Sequence, residues 1–448
     1  MMILKILPQA KGRSGIMRLC SVSVEGFRNI QRSKVICTEM VALVSLNSYG
    51  KSNLLQAIDF GVDFISSNEN TKKKMMSWTK GIPLNKGTAS KDFRIEFEMT
   101  TSLNNKVYNI IYGYQFRWIR SDETGANIIG EWLKIKIEGK NQKFNILINR
   151  DEDKAFYRSS ETGRCNTKIS IDNNDLIINK LKAFENLYYH DVIKGINSLK
   201  VYIERHLDAS QSYTPDPIIR KDIDVLEMEG VNNLPRVIYH LKKQYSEKYN
   251  LLINAYTQLF PQITELIVEE IDIQNKFQSK IPDDIPFKLD NKIYALYVID
   301  NNLNQPISFE AMSDGAKRVF LLLTNIVIAD LNNLSLIAVE EPENSIHPSL
   351  LQNYLRVLSQ LLGDTKIIIT SHSPYIIQYL EPQNIYVGLP KPYGVAQFAK
   401  IRKSAQKFLF DDASNLEMST GDYLFELISG TEDDMKILEK YLEFENHE

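Results

Sequence analysis

The chain has 448 residues, of which 43% are hydrophobic and 24% charged, ordinary values for a globular protein with room for two or three domains. A formal net charge of -3 excludes a global basic field for nucleic acid, although a local DNA contact stays open. No apolar run approaches the roughly 18 residues of a membrane helix, and Cys20, Cys37 and Cys165 lack CxxC spacing. This pattern predicts a cytoplasmic protein with no membrane partner.

Five segments of different character follow one another along the chain. Residues 1–16 are an N-terminal extension, since the pattern restarts at residue 17. Residues 17–172 hold the phosphate-loop pattern and then strands that alternate apolar and polar residues, which predicts an antiparallel sheet. Residues 173–261 show helical periodicity and are predicted to be a helical insertion with oligomer or partner contacts. Residues 262–390 begin with two strands and, after residue 309, alternate helix and strand, which is typical of a parallel sheet; residues 391–448 are predicted to be a helical tail.

Residues 45–53, Ser-Leu-Asn-Ser-Tyr-Gly-Lys-Ser-Asn, are the most informative stretch. They follow the apolar run 40–44 and precede the helix-like run 54–60, so the order is strand, loop, helix. Backbone N–H groups at a helix N-terminus point at an anion, and the helix dipole favours it. Lys51 is therefore predicted to reach the β/γ-phosphates of a nucleotide, and the Ser52 hydroxyl is predicted to ligate Mg²⁺.

The loop departs from the P-loop pattern G-x-x-x-x-G-K-[ST] at its first position. Ser45 stands where the pattern has glycine, and Tyr49 places a large ring beside Gly50. A Cβ at the first position is tolerated if its φ is negative, but the backbone approaches a phosphate less freely. The sequence therefore predicts ATP binding and leaves open a slow or sensor-like ATPase.

Two carboxylates end a later apolar strand, residues 334–339. In an NTPase the first, Glu340, would hold Mg²⁺ through water, and the next, Glu341, would polarise the attacking water. The alternative is a buried strand followed by a solvated acidic turn.

Two further polar segments flank these carboxylates in the chain. The run 313–315, Ser-Asp-Gly, opens an apolar helix; such a serine is usually only a cap, yet this helix start is also suited to hold a γ-phosphate bound by another subunit. His372 follows the strand 366–369, where a histidine is more often structural. Ligands of parallel sheets bind beyond the strand carboxyl ends, so His372 is placed to sense or polarise the γ-phosphate.

In this order, the four segments resemble those of the ABC-type ATPase heads related to the SMC and recombination-repair ATPases. The chain is most similar in its motifs to the bacterial OLD-like ATPases of anti-phage systems, including the ATPase subunits of Septu and PARIS. The resemblance spans about residues 17–380. It is carried by Gly26-Phe27-Arg28-Asn29, Asn47, Gly50-Lys51-Ser52-Asn53-Leu54-Leu55, Tyr112-Gly113-Tyr114, Glu131-Trp132-Leu133, Met312-Ser313-Asp314-Gly315, the run 340–348 and Ser371-His372-Ser373-Pro374.

The resemblance implies an α/β fold: an ABC-type P-loop ATPase head with a mixed parallel sheet, an antiparallel subdomain and a helical insertion. It also implies ATP and Mg²⁺ as ligands and gives each motif a role. By that resemblance, Lys51 and Ser52 are the Walker A pair, Glu340 is the Walker B acid, Glu341 is the catalytic base and His372 is the switch histidine. The signature, which acts in trans, is Ser313, Asp314 and Gly315, and the D-loop is Asn344 to His347. The residues implied to lie near the nucleotide are Arg28, Asn29, Asn47, Gly50 and Asn53, and Gln115 is only a candidate for the metal-ligating glutamine.

Partners follow from the same resemblance: a homodimer or higher homo-oligomer, and a partner effector nuclease of HNH or Toprim type that this subunit restrains or activates in anti-phage defence. The acidic cluster 432–434 lies in a helical tail and is predicted to be a solvated face, so no nuclease is expected in this chain. Two alternatives stay open, a DNA-repair or chromosome-maintenance ATPase acting on DNA directly and a non-hydrolysing ATP-bound scaffold. A transporter ATPase is disfavoured because the stretch between Lys51 and Ser313 is far longer than such a head needs.

The best nucleic-acid candidate is the lysine run from Lys72 to Lys91, which has no acid before Asp92. Its lysines would contact phosphates, and Trp78 would stack on a base. A solvated loop beside the nucleotide site is the favoured interpretation, because charge runs usually only face solvent.

Overall fold

The computed structural model describes residues 17–120, 127–139, 143–204, 218–220, 226–228, 233–273, 286–344 and 346–443; the predicted extension 1–16 lies outside these ranges. The strands are β1 Arg18–Phe27, β2 Ile30–Ile36, β3 Met40–Val44, β4 Phe93–Leu103, β5 Lys106–Arg117, β6 Asn127–Ile137, β7 Asn145–Arg150, β8 Ala155–Tyr157, β9 Thr167–Lys168, β10 Val201–Glu204, β11 Ile218–Arg220, β12 Ile263–Asp272, β13 Phe287–Leu289, β14 Lys292–Asp300, β15 Ile307–Ser308, β16 Leu336–Glu340, β17 Lys366–Ser371, β18 Ile385–Lys391, β19 Val395–Ile401 and β20 Leu442–Glu443. The helices are α1 Lys51–Ser66, α2 Glu69–Met76, α3 Ile177–Leu181, α4 His190–Asn197, α5 Leu234–Gln244, α6 Ser246–Leu259, α7 Asp314–Leu331, α8 Pro348–Leu361, α9 Pro374–Tyr379, α10 Gln406–Asn415, α11 Thr420–Ser429 and α12 Glu432–Glu439.

The first of two compact units contains the described residues of Met1–Ile203, Asn333–Glu341 and Asp364–Glu448. One sheet runs through it in the order β10-β16-β17-β3-β18-β19-β2-β1-β4-β5-β6-β7-β8-β9, with β20 paired to β19. The pairs β16–β17, β17–β3 and β3–β18 are parallel, whereas β1, β4, β5, β6 and β7 pair antiparallel. This mixed sheet with helices is the predicted α/β fold with its antiparallel extension.

The strand directions bring several chain turns to one edge of this sheet. Since β16, β17, β3 and β18 are parallel, their carboxyl ends meet at the same edge. The turn from β18 to the antiparallel β19 therefore also lies there. Because β2 is parallel to β19, the turn between β1 and β2 lies at that edge too. We call this edge of the first unit the loop edge.

The core of the first unit explains why α1 and the antiparallel strands pack together. Every residue of β3 is buried, and α1 buries a face that includes Phe60 and Phe64. The ring centroids of Phe64 and Phe116 lie 5.0 Å apart, as do those of Phe116 and Trp118. Each buried apolar side chain of this size contributes about 1.5–3 kcal/mol.

The second unit contains the described residues of Glu204–Asn332 and Pro342–Gly363. It holds helices α5 to α8, the three-stranded sheet β12-β14-β15 and the pair β11–β13. Helix α7 is buried on most sides, and the Phe320 ring lies 4.9 Å from that of Tyr256 on α6. Such an all-round apolar helix needs tertiary packing on every face, which explains why α7 lies inside its unit.

Two helical predictions need correction. The region 176–206 was predicted as helix, but after α3 and α4 it forms strand β10, Val201–Glu204. Likewise β11, Ile218–Arg220, precedes helices α5 and α6 in a region predicted as helical throughout. Short β-branched runs carry no decisive period, so strand partners decide their state.

In the predicted helical tail, β19, Val395–Ile401, was missed; it pairs with β18 in the large sheet. The predicted β3, α1 and the alternation of helix and strand after residue 309 are confirmed. The five-segment division follows sequence character rather than contacts and stays a prediction.

In the part of the chain that the structure describes, no helix is both long enough and apolar enough to cross a bilayer.

Candidate functional site

The loop after β3 ends in a helix start that presents backbone N–H groups. Gly50 is the N-cap of α1 with φ 103°, a conformation that L side chains rarely adopt. An added Cβ at Gly50 would lie only 2.8 Å from Ala396 Cβ. No side chain caps this helix start, so its N–H groups are available to an anion, and the dipole favours negative charge there.

Lys51, the first residue of α1, is 6% exposed and turns back onto its own loop. Its Nζ donates to Ser45 O at 2.9 Å and Leu46 O at 3.2 Å, and it lies 3.3 Å from Ser45 Oγ. The fourth contact is His372 Nδ1 at 3.2 Å. This buried ammonium is therefore held by three oxygens of its own loop and by the His372 ring.

His372 joins Lys51 to Glu341. Its Nε2 lies 3.0 Å from Glu341 Oε1, while its Nδ1 contacts Lys51 Nζ. An ammonium has only donors, so Nδ1 accepts; in a neutral imidazole the proton is then on Nε2, which donates to Glu341. The structure thus brings together three residues from separate segments, Lys51, Glu341 and His372, in one hydrogen-bonded chain.

Glu341 is held at the end of β16 in an unusual backbone conformation. Its φ is 47°, and its N–H donates to Thr370 O at 3.0 Å. A left-handed non-glycine residue costs about 1–3 kcal/mol and persists only where its surroundings impose it. Buried Thr370 on the neighbouring β17 imposes it here, a role that sequence reasoning missed because it depends on strand pairing.

The surroundings of Glu340 show whether Mg²⁺ fits the loop edge. Its Oε1 is buried without a hydrogen-bond partner, a costly state that a bound cation would relieve. Ser52 is half-buried in the first turn of α1. The described residues contain no group of three or more His, Cys, Asp or Glu able to hold a metal, so an ion here would need oxygens from phosphate and water as well. Mg²⁺ prefers that kind of ligand set, and the residues present fit it.

Arg28, Asn29 and Asn53 form a second polar network at the loop edge. Arg28 Nη1 donates to Asn53 Oδ1 and Asn53 Nδ2 donates to Asn29 Oδ1, both at 2.7 Å. Arg28 Nε donates to Lys80 O at 2.6 Å. Asn47, by contrast, is exposed in the loop itself. The network fixes the β1–β2 turn against the first turn of α1.

The Ser45 substitution is accommodated by glycine on the next strand. Ser45 is fully buried, and a Cβ built on Gly388 of β18 would lie 2.8 Å from Ser45 Cβ. Positive φ in the described loop occurs at Ser48 and Gly50, not at Ser45. The serine Cβ is therefore tolerated in the way that the sequence anticipated, and the missing side chain of Gly388 provides its space.

Several residues of the lysine run are occupied by structural contacts. Lys72 is fully buried, 3.1 Å from Asp175 Oδ1 and 2.7 Å from Asn179 Oδ1. Lys91 pairs with Glu25 at 2.8 Å. Trp78 is half-buried and stacks on Phe60 with 5.8 Å between centroids, so packing occupies one face of this ring, and its role in base stacking stays a prediction.

The signature residues lie in the second unit. Ser313 caps α7, its Oγ accepting from Ala316 N at 3.4 Å. Asp314 pairs with Lys317 at 2.9 Å, and its side chain is 62% exposed. Gly315 follows in the first turn. These contacts are those of an ordinary helix start, so the role of the signature stays a prediction.

Three other predicted positions are placed as follows. Asn344 and His347 precede α8, and His347 is its N-cap. Gln115 lies on β5 opposite Arg94, separated from β3 by β18, β19, β2, β1 and β4. The cluster 432–434 forms the first turn of α12, where Asp434 closes a capping box. Gln115 gains no support as a metal ligand from this position.

A buried acid, Glu131, lies within the run Glu131-Trp132-Leu133. Glu131 on β6 is fully buried, and its carboxylate accepts from Ile177 N at 2.5 Å and Ile178 N at 3.0 Å. Burial raises the pKa of Glu131 to about 7, against the opposing effect of these bonds and of Arg150. A single charged residue between Gly130 and Trp132 gives no sequence signal of this state.

Known proteins that are similar to this chain include a family of AAA domains, a retron ATPase and SMC heads. Residues 42–378 match the family model described as "AAA domain, putative AbiEii toxin, Type IV TA system". The "Retron Ec83 probable ATPase" of Escherichia coli is 22% identical over 405 residues, which cover 83% of this chain and 72% of that protein. Among solved structures, an SMC head bound to the C-winged helix domain of ScpA is 12% identical with a TM-score of 0.47, covering 87% of this chain and 99% of that one. The SMC head domain from Thermotoga maritima is 11% identical with a TM-score of 0.41, covering 86% and 99%.

Proposed function

The chain belongs to this family of AAA domains, and on that premise we propose that it binds ATP with Mg²⁺ at the loop edge of its first unit and hydrolyses the γ-phosphate. The observation that carries the proposal is the hydrogen-bonded chain from Lys51 through His372 to Glu341. It links a cation suited to phosphate with a carboxylate suited to take a proton from water.

Each residue has a defined task in this proposal. Lys51 and the N–H groups at the start of α1 bind the phosphates, and Glu340 with Ser52 would hold Mg²⁺, which neutralises phosphate charge. Glu341 accepts the proton of the attacking water. Since Glu341 is pinned through its backbone to Thr370, its carboxylate is positioned before ATP arrives.

His372 couples phosphate binding to the base. In the described state Lys51 Nζ donates to Ser45 O, Leu46 O and His372 Nδ1. An arriving phosphate offers a charged acceptor that competes for the ammonium. Once Lys51 turns to the phosphate, His372 contacts the γ-phosphate in place of Lys51, and the Glu341 carboxylate receives the attacking water.

Binding is tested with Lys51→Ala and a fluorescent ATP analogue. We expect affinity to fall at least about a hundredfold, since the buried ammonium is the group that neutralises phosphate charge. Lys436→Ala, which removes an exposed lysine paired with Asp433 on α12, is the control and should leave affinity unchanged. Equal affinity of wild type and Lys51→Ala would refute the nucleotide site.

The biological role we propose is anti-phage defence: an oligomeric ATPase subunit that restrains or activates an effector nuclease of HNH or Toprim type. Support comes from the similarity to the "Retron Ec83 probable ATPase", since that relative is described as the ATPase of a retron. The gene beside this one tests the proposal, since co-expression with a nuclease encoded there should give a complex and phage-triggered growth arrest. A chain that protects cells without any neighbouring effector would contradict it.

A non-hydrolysing ATP-bound scaffold is the second candidate, because buried Ser45 limits how closely the loop backbone approaches a phosphate. Absence of turnover in the wild type with its partner present would favour it. Direct action on DNA loses part of its support, since Lys72 is buried, Lys91 is paired with Glu25 and Trp78 packs on Phe60.

A further inference from the structure

The turn Pro392–Gly394 joins β18 to β19 and lies at the loop edge. Because β18 is parallel to β3 and hydrogen-bonded to it, the turn is the next feature along this edge after the phosphate loop. Glu341 and His372, at the ends of β16 and β17, lie on the opposite side of β3. If the γ end of a bound triphosphate faces Glu341, a nucleoside that extends along the loop edge past β3 reaches this turn.

Hydrogen bonds tie the turn to the start of α1. Asn29 Nδ2 donates to Gly394 O at 3.1 Å, and Asn29 Oδ1 accepts from Asn53 Nδ2 at 2.7 Å. From the other side, Asn85 Nδ2 donates to Tyr393 O at 2.9 Å. The position of Tyr393 is thus set by the same polar network that positions the first turn of the phosphate-binding helix.

Tyr393 itself is exposed and strained. Its φ is 64° and ψ 21°, a left-handed conformation that is unfavourable for an aromatic residue, and 67% of the residue is exposed. The ring lies over Gly87: a Cβ built there would be 3.9 Å from Tyr393 Cδ2. Leu84, in the same loop, is 77% exposed. Packing does not require this aromatic residue, and strain of this kind concentrates at ligand sites.

We propose that the exposed Tyr393 ring forms the surface on which the base of the bound nucleotide stacks. The inference rests on the proposed nucleotide site and names the part of the ligand that this site recognises beyond phosphate. Every base has a π-face, so a stacking surface binds nucleosides with little selection among bases. The surface favours a nucleoside triphosphate over bare tripolyphosphate.

The experiment compares ATP with inorganic tripolyphosphate as competitors of a fluorescent ATP analogue. Base stacking contributes about 1–3 kcal/mol per base, so Tyr393→Ala should weaken ATP binding about tenfold and leave tripolyphosphate binding unchanged. Tyr393→Phe keeps the ring and should bind ATP as the wild type does. Phe408→Ala is the matched control, since Phe408 is an aromatic residue of similar exposure, 65%, on helix α10.

Tyr393→Gly separates binding from stability. Glycine adopts the left-handed conformation without strain, so this variant should unfold at a higher temperature while binding ATP about tenfold more weakly. Opposite signs in the two measurements exclude general damage to the turn.

Three outcomes overturn the inference. They are an ATP affinity that is unchanged in Tyr393→Ala, an ATP affinity in Tyr393→Phe as low as that in Tyr393→Ala, and a tripolyphosphate affinity that falls in parallel with that for ATP. If the wild type binds neither competitor, the proposed function fails and this inference with it. Loss of both ligands in Lys51→Ala together with selective loss of ATP in Tyr393→Ala supports both proposals.

Discussion

The loop edge of the first unit and the helix start at Ser313 in the second unit carry motifs of the same resemblance, yet they differ in how their side chains are held. At the loop edge, Lys51 contacts two backbone oxygens, a hydroxyl and His372, and Glu341 is pinned by Thr370. At the other site, Ser313 caps its own helix and Asp314 pairs with a lysine one turn away.

The difference indicates which region has its side chains positioned before a ligand arrives. Residues fixed by tertiary contacts are positioned before a ligand arrives, so the loop edge is prepared for phosphate and water. A helix start that uses only local contacts keeps exposed polar groups for a molecule outside its unit. The proposed division of labour is that one protomer supplies the loop edge and a second supplies the helix start.

The largest effect is expected when the proposed general base of the loop edge, Glu341, is replaced. Glu341→Gln keeps the shape and the acceptor for His372 but cannot take a proton, so ATP binding should persist while turnover falls about 10²–10⁴-fold. A phosphate-release assay at saturating ATP measures this. Glu432→Gln, an exposed acid in the first turn of α12, is the control and should hydrolyse ATP as the wild type does. Undiminished turnover in Glu341→Gln would assign the base elsewhere.

The next effect concerns how buried Glu131 makes the stability of the first unit depend on pH. Because burial raises the pKa of Glu131 to about 7, the folded protein binds a proton there that an unfolded chain has released above about pH 4.5. Stability from this group is complete below about pH 4.5 and is lost as pH rises through about 7. Between these values the free energy of unfolding should fall by about 1.4 kcal/mol per pH unit, about 3 kcal/mol in all.

Denaturant unfolding of wild type and Glu131→Gln at several pH values measures this contribution. The variant has no titrating group at residue 131, so the difference between the two slopes isolates Glu131 from the histidines. Parallel stability curves would mean that Glu131 titrates alike in the folded and unfolded states.

The smallest of these effects concerns Ser313 of the second unit and its proposed part in self-association. Ser313→Arg places a bulky cation at the proposed contact and should weaken ATP-dependent self-association about tenfold, about 1.4 kcal/mol. Sedimentation with and without ATP provides the measurement. Ser419→Arg is matched, since Ser419 also caps a helix through its Oγ, at 3.1 Å from Asp422 N, and so loses the same cap of about 1 kcal/mol. A monomer whose hydrolysis is first order in protein concentration would contradict composite sites.

Much of the loop edge was predictable from sequence because its parts depend on local order. An apolar strand followed by Gly50-Lys51-Ser52 predicts a strand, a loop and a helix start, and β3 with α1 confirms it. A strand ending in Glu340 and Glu341 is likewise local, and parallel pairing then places its end at the same edge as the loop. The sequence alone therefore determined the phosphate loop, the acidic strand end and the α/β class.

Other features were decided only in the tertiary structure, because they depend on residues far apart in the chain. The contact of Lys51 with His372 joins positions 321 residues apart, and Gly388 on the neighbouring strand β18 makes room for Ser45. Strand β19 exists because β18 and β2 pair with it, and Tyr393 reaches the loop edge only through that pairing. Lys72 looked like a solvated charge, yet Asp175 and Asn179 hold it in the interior. Local periodicity carries no information on such partners, since strand order and burial are set when the whole sheet assembles.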